Sequence, residues 1–306
     1  RCTCQDTGAL GAGLLGLLLL GLLSACKATP QSASTRRDKA EAIAPSEGSK
    51  GTGAGDDGCE HRARRSSLVQ LRVQVHQSYP HDTHAFTQGL LWYDGHLYES
   101  VGRYGHSALR KVELSTGKVL HQVPLADHLF AEGLARVGDE LIQLTWREHK
   151  ALRWSIADKG FKRLGAWQYG GEGWGLCAMD DGRLVMSDGS AQLSFRDSRD
   201  FEVQRSLRVY IESEDPPMRQ PISRLNELAC VHGKVYANVW QEERIVRLDP
   251  HSGEVEAVID ASGLLTDSER QGVDVLNGIA WLPKKRRFLL TGKLWPKIFE
   301  VSFVPK

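Results

Sequence analysis

From Leu68 to the C-terminus, hydrophobic positions come as short alternating or unbroken runs cut by Gly, Asp and Pro. No long stretch keeps a 3.6-residue period, so the pattern predicts strands rather than helices. Five segments repeat a strand, a turn and a second strand: "TQGLLWYDGHLYES" from Thr87, "AEGLARVGDELIQLTW" from Ala131, "GWGLCAMDDGRLVMSDGS" from Gly173, "LNELACVHGKVYANVW" from Leu225 and "LNGIAWLPKKRRFLLTGKLW" from Leu276. With Gly89, Gly133, Gly175, Glu227 and Gly278 taken as equivalent, the spacings are 44, 42, 52 and 51 residues. Such periods fit the four-stranded unit of a β-propeller.

Four of the hairpins are followed by another strand pair, such as "LRKVELSTGKVLHQVPL" and "RIVRLDPHSGEVEAVID". The fifth copy runs out one strand early after Trp295. An unassigned alternating stretch, "LVQLRVQVHQSY", stands at the front. The expectation is therefore an all-β, five-bladed β-propeller with four-stranded blades, the last completed by the N-terminal strand. Such closure hides the edges an open array would expose.

Residues 1–26 read as a targeting segment: "GALGAGLLGLLLLGLLSAC" is apolar, short for a membrane span, and ends on small residues and a cysteine. The ending Leu23-Ser24-Ala25-Cys26 resembles the bacterial lipobox, which predicts lipid attachment at Cys26. An ordinary cleaved secretory signal is the alternative, and both readings export the protein to the cell envelope or periplasm. Residues 27–67 hold one large aliphatic residue, Ile43, and no aromatic one, so they read as a disordered tether. Residues 68–306 form the predicted propeller domain.

Composition narrows the partners. The 306 residues carry a formal charge of +1 with no basic stripe, which gives no reason to expect nucleic acid. Of six cysteines, Cys2 and Cys4 fall in the removable segment and Cys26 at the lipid site. The remainder, Cys59, Cys177 and Cys230, is odd and does not make a disulfide scaffold. Cys177 and Cys230 sit at similar places in adjacent repeats, and the sequence leaves their pairing open. Without CxxC or HExxH spacing, neither a metal nor another cofactor is expected.

The repeat also gathers candidate chemistry. The position before the repeat glycine holds Gln88, Glu132, Trp174, Asn226 and Asn277, and the second strands end near Glu99, Trp146, Asp188, Trp240 and Lys293. A hairpin brings its open ends together, so both sets should meet at one mouth of the channel. Glu132 is the one acid of the first set, and a lone carboxylate beginning a buried strand needs a partner. A proton-moving carboxylate with a cation and an amide to steady an oxyanion makes a workable acyl-transfer site. This rim has no serine or cysteine nucleophile paired with a histidine, which favours a substrate carrying its own nucleophile. In the blander reading the amides only bind channel water, most of all Asn277. Trp92, Trp154, Trp167 and Trp281 are assigned to the core.

Together "HDTHAFTQGL", "FAEGL", "LTWRE", "GEGWGL", "MSDGS", "LNEL", "YANVW" and "LNGIA…TGKLWPK" resemble the plant and bacterial type of glutaminyl-peptide cyclotransferase, or glutaminyl cyclase, from about Tyr79 to Phe303. The resemblance implies a five-bladed propeller that needs no cofactor and turns the N-terminal glutamine of a peptide or protein into pyroglutamate, releasing ammonia. It implies catalytic roles for Glu132, Lys293 and Asn226, and substrate binding by Phe86, Gln88, Phe130, Trp146, Trp174 and Trp240. A monomer is expected, with the lipid anchor its membrane contact. The chain departs from the family at His81-Asp82-Thr83, where His-Asp-Pro is usual, and a looser approach to the first blade is expected. Two alternatives stand beside this one. One is a non-catalytic, lipid-anchored propeller that only binds a partner. The other is a metal-dependent hydrolase using Glu132, Asn226 and Asn277 as calcium ligands.

Overall fold

The computed structural model describes residues 68–306 apart from 158, 159 and 215. The expected signal segment and tether, with Cys26 and Cys59, lie outside the described residues. Every regular element among those described is a strand. The first, β1 (Val69–Pro80), stands alone in sequence. A four-stranded sheet follows from β2 (Thr87–Tyr93), β3 (His96–Val101), β4 (Ala108–Glu113) and β5 (Lys118–Pro124), in that order. The next two sheets repeat the plan: β6 (Ala131–Val137), β7 (Glu140–Thr145), β8 (Lys150–Ala157) and β9 (Gly160–Gln168), then β10 (Leu176–Ala178), β11 (Leu184–Ser187), β12 (Gln192–Arg196) and β13 (Val203–Arg208). A separate hairpin, β14 (Tyr210–Glu214) and β15 (Pro217–Pro221), precedes β16 (Leu225–Val231), β17 (Lys234–Val239), β18 (Arg244–Leu248) and β19 (Val255–Asp260). The chain closes with β20 (Leu276–Leu282), β21 (Arg287–Gly292) and β22 (Lys297–Pro305).

The N-terminal strand lies beside the last one: β1 pairs antiparallel with β22, Tyr79 opposite Ile298 and Val73 opposite Phe303. It also pairs parallel with β19, Val69 opposite Ala257, which the repeat pattern did not anticipate. That second pairing fuses the last two sets into one eight-stranded sheet, ordered β16-β17-β18-β19-β1-β22-β21-β20. The hairpin β14–β15 is the other addition, and it accounts for the longer spacing between the third and fourth repeats.

The first strands of the five sets touch their neighbours in a closed cycle, β2–β6–β10–β16–β20 and back to β2. Five hydrophobic clusters lie between successive sets. Leu109 and Tyr98 meet Leu134 and Leu141, for instance, while Leu144 and Ile142 meet Leu176 and Leu184. The last cluster joins Leu289 and Ile298 to Leu90 and Leu97. The repeat glycines are what this crowding requires. A Cβ on Gly89 or Gly133 would stand 2.5 Å from the nitrogen of Leu134 or Leu176, and one on Gly175 would stand 2.0 Å from the carbonyl oxygen of Asn226. Of the tryptophans assigned to the core, only Trp154 is fully buried. Trp92, Trp167 and Trp281 pack partly exposed against its margins, as large indoles commonly do.

Where the repeat has Glu227 instead of glycine, the side chain spans the ring centre. Its two oxygens accept the N–H of Leu90 on β2 at 3.2 Å and of Ile279 on β20 at 2.9 Å. Burial pushes this carboxyl well above its ordinary range, only partly offset by the two N–H donors. Thr83 sits second in a turn closed by Ala85 N donating to Asp82 O at 2.8 Å, a place proline would pre-set. The turn is held instead by Asp82, which accepts from His84 N at 2.9 Å and from Arg110 at 2.9 Å.

Cys177 on β10 and Cys230 on β16 form a disulfide, Cα–Cα 5.5 Å, across 53 residues of sequence. It cross-links two adjacent inner strands near their turn ends. Replacing both cysteines with serine should cost about 2–4 kcal/mol, chiefly by freeing the unfolded chain. Denaturant unfolding of the oxidised parent and the double variant measures this, and equal midpoints would refute it.

Candidate active site

Four of the five inner strands slip register at one equivalent place. Gln88 stands unopposed between the pairs Thr87–Val101 and Gly89–Ser100. The slips on β6, β16 and β20 fall between Ala131 and Leu134, Leu225 and Leu228, and Leu276 and Ile279. Gln88, Glu132, Asn226 and Asn277 therefore all ride on bulges, which re-aim a side chain that regular pleating would place in a sheet interface. The hairpin ends close as the repeat requires. Trp146, Trp240 and Lys293 donate their backbone N–H to Phe130, Arg224 and Val275 at 2.8–2.9 Å, so each second-strand end is tied to the start of its own first strand.

One cavity of about 340 Å³ opens at this mouth, lined by Phe86, Gln88, Phe130, Glu132, Trp146, Trp174, Asn226, Trp240, Asp274 and Lys293. All nine residues expected at the catalytic and substrate-binding positions are in that wall. The polar four, Gln88, Glu132, Asn226 and Lys293, are buried at its floor, while the five aromatics are half-buried. Phe130 packs edge-on against Phe86 (6.2 Å) and Trp146 (5.5 Å), and Trp174 meets Trp240 at 86° and 5.6 Å.

Electrostatics at the floor are unbalanced. Burial, foremost, holds the Glu132 carboxyl well above the ordinary carboxylate range; the Lys293 charge pulls it down, and Glu172 and Glu148 push it up. Gln88 Nε2 donates to Glu132 Oε1 at 2.9 Å. Burial lowers the Lys293 ammonium, against the charges of Glu132 and Asp274. Its Nζ lies 4.9 Å from the Phe86 ring centre. Among the described residues no ion pair within 4.0 Å joins Lys293 to Glu132. Asn226 Oδ1 is buried without a partner, which leaves its N–H end for the cavity. A buried acid of raised pKa, a cation and an amide donor thus surround a space walled by rings, an arrangement able to move a proton and stabilise an oxyanion.

A family model described as glutamine cyclotransferase matches residues 53–303. The chain belongs to the glutamine cyclotransferase family. It is 38% identical over 239 residues to a glutaminyl-peptide cyclotransferase of Arabidopsis thaliana, covering 75% of this chain and 71% of that one. The crystal structure of Myxococcus xanthus glutaminyl cyclase matches with a TM-score of 0.69 and 38% identity, over 78% of this chain and 99% of that chain.

Within this candidate site of a glutamine cyclotransferase family member, several side chains do not follow the repeat. Asn277 is not in the cavity wall: its Nδ2 donates to Thr87 O at 3.0 Å and to Gln88 Oε1 at 3.2 Å. The three proposed calcium ligands therefore do not converge, and Lys293 shares the space a cation would take. Asp188 points to Ser190 in a turn. Two residues went unremarked in the sequence. Asp274 lies between repeats, where no periodicity reaches. Glu172 stands two residues before Trp174, and its Oε2 accepts both the Trp146 indole at 2.7 Å and the Trp174 indole at 3.0 Å. Burial would raise that carboxyl, yet the indoles and Arg147 together hold it low. It clamps two walls of the cage with one charge.

Glu99 serves the site from behind. It pairs with His81 Nε2 at 2.9 Å and accepts Thr87 Oγ1 at 2.7 Å. His81 Nδ1 donates to the Trp295 carbonyl at 2.7 Å, and Leu294 N donates to Ala85 O at 2.7 Å. With Nδ1 committed to a carbonyl, Nε2 donates to Glu99 only as imidazolium. The pair joins the loop carrying Phe86 to the turn carrying Lys293. Burial, the largest single influence, would lower the His81 pKa and raise that of Glu99, but the partner's charge and the hydrogen bonds together outweigh it, so His81 is raised and Glu99 lowered. His81 then stabilises the fold fully below the free histidine value, about 6.5, and loses that contribution as pH rises through its raised pKa. Glu99 contributes above the free carboxylate value, about 4.3, and loses it as pH falls through its lowered one. His81→Gln should cost on the order of 3 kcal/mol between about pH 5 and pH 6.5 and progressively less in alkaline buffer. Paired melting curves across pH check this; a constant difference would exclude the charged pair.

Proposed function

We propose that this chain is a five-bladed β-propeller enzyme that cyclises the N-terminal glutamine of peptides and proteins to pyroglutamate, with Glu132 as general acid and base. The carrying observation is one buried carboxylate of raised pKa, held by Gln88 and separated from Lys293, on the floor of an aromatic cavity. Membership of the family supports the reaction, and the closed cycle of inner strands with five intervening core clusters supports the propeller.

The substrate's α-amine attacks its own side-chain amide carbon. A ring C–N bond forms, the carbonyl carbon becomes tetrahedral, and the bond to the amide nitrogen then breaks. A free α-amine titrates at about 7.7–8.0, so part of it is the reactive neutral form near neutral pH. The aromatic walls hold the glutamine side chain folded back on the amine, and such positioning is worth up to about 7–11 kcal/mol. Glu132 takes the amine proton as the ring closes and delivers it to the departing nitrogen, which leaves as ammonia. Its raised pKa suits both halves of that transfer. Lys293 and the Asn226 N–H end steady the oxygen of the tetrahedral intermediate.

We place the enzyme outside the cytoplasm, tethered as a monomer through a lipid on Cys26. The Cys177–Cys230 disulfide supports an oxidising compartment, and one chain supplies the whole cavity wall.

The chain should release ammonia from Gln-Ala and none from Glu-Ala, and silence on both ends the reading. Glu132→Gln should lower kcat by about two to four decades with KM little changed; a variant keeping more than about a third of normal kcat removes the acid–base role. Lys293→Ala should lower kcat more than it raises KM, and the reverse makes it a binding residue.

A further inference from the structure

We propose that Asn277 is a positioning residue, which fixes the Gln88 carboxamide so that its N–H, not its oxygen, faces Glu132. The proposal rests on the cyclisation reading and extends it, since it says what keeps the acid–base group in its working state.

A chain of directions carries it. Asn277 is completely buried on its bulge. Its neighbour at 3.0 Å, the Thr87 carbonyl, can only accept, so the amide must turn its NH2 end that way. The second hydrogen on that nitrogen meets Gln88 at 3.2 Å, so the atom there is the Gln88 oxygen. The other end of the Gln88 amide is then its NH2, 2.9 Å from Glu132 Oε1. A group with no choice of role sets the first amide, and each amide sets the next.

Without that chain Gln88 has two nearly isosteric orientations. Facing Glu132 with N–H, it stabilises the carboxylate; turned over, it accepts a proton from the carboxylic acid. Burial already favours the acid, so an undirected Gln88 would turn and leave Glu132 unable to take the amine proton. The other charged or titratable groups acting on Glu132 are Lys293, Glu148, Glu172, Tyr104 and Tyr169. The hydrogen bonds of Asn277 go to Thr87 and Gln88 instead. Asn277 Oδ1 is itself buried without a partner among the described residues. The hydrogen bonds this amide makes within the protein are therefore those of its N–H end.

The test is the pH dependence of ammonia release from Gln-Ala by the full chain, its Asn277→Ala and Gln88→Met variants, and the double variant. Asn277→Ala should lose about ten-fold in kcat/KM at about pH 6 and two-fold or less at about pH 9, with KM on the alkaline plateau unchanged. The double variant should match Gln88→Met alone, because Asn277 acts through Gln88. A loss equal at all pH values, or two losses that multiply, overturns the proposal. Should the Asn277 and Gln88 variants fold poorly, NMR of the unaltered chain beside Glu132→Gln decides it. The Gln88 side-chain NH2 signals should move with the titration of Glu132 and cease to move in Glu132→Gln. Signals that ignore pH overturn the proposal. A parent chain that makes no ammonia defeats the cyclisation reading, while the NMR measurement still reads the orientation of Gln88.

Discussion

The close approach of the inner strands is the constraint on which everything else depends. At Gly89, Gly133 and Gly175 the neighbouring backbone comes nearer than any side-chain carbon permits. Strands held so tightly leave little room between them, and several polar side chains are turned into the ring centre. There they must find partners or face a cavity. Glu227 finds partners, binding two N–H groups on other strands. Glu132 finds one amide and a cavity. The same crowding that excludes water from the core thus produces an acid with a raised pKa.

The repeated bulge turns that crowding into a site. A regular strand would send alternate side chains into the two neighbouring interfaces, and a polar residue there would be orphaned. Slipping the register at one place in four strands points Gln88, Glu132, Asn226 and Asn277 toward the axis. Because the slip recurs at the equivalent position, Gln88, Glu132 and Asn226 reach the mouth where the hairpin ends supply Trp146, Trp240 and Lys293, while Asn277 stops behind Gln88. The convergence is a product of the repeat, although no two repeats contribute the same chemistry.

Much of this was legible in the sequence. The spacing of "QGL", "EGL" and "LNEL" announced the strand sets, because each set needs its own close-approach residue at a fixed interval. It also brought Glu132, Lys293 and Asn226 to one rim. What escaped reading lacked a period. The parallel contact of β1 with β19 depends on where the N-terminal strand ends up, which no local pattern encodes. Glu172 lies in an irregular stretch, so nothing in its spacing shows that it holds two indoles. Asn277 occupied a repeat position, yet its hydrogen bonds to Thr87 and Gln88 could not be read there. Its residue type fits channel water equally well, and only the placement of the Thr87 carbonyl shows which way the amide faces. Glu99 shared the rim set with Trp146 but turns to His81, because the end of a second strand constrains position and not side-chain direction.

The separation of Glu132 from Lys293 is itself part of the design of the pocket. A buried acid and ammonium in direct contact would settle as an ion pair, with the acid's pKa depressed and its proton unavailable at neutral pH. Here burial dominates the Glu132 carboxyl while Lys293 acts only through its field. The two groups face a common space with Asn226 between the same walls. A reacting carbonyl placed there would meet the cation at its oxygen and the carboxyl at its nitrogen. On the proposed reading, that separation of charge matches the one a tetrahedral intermediate develops.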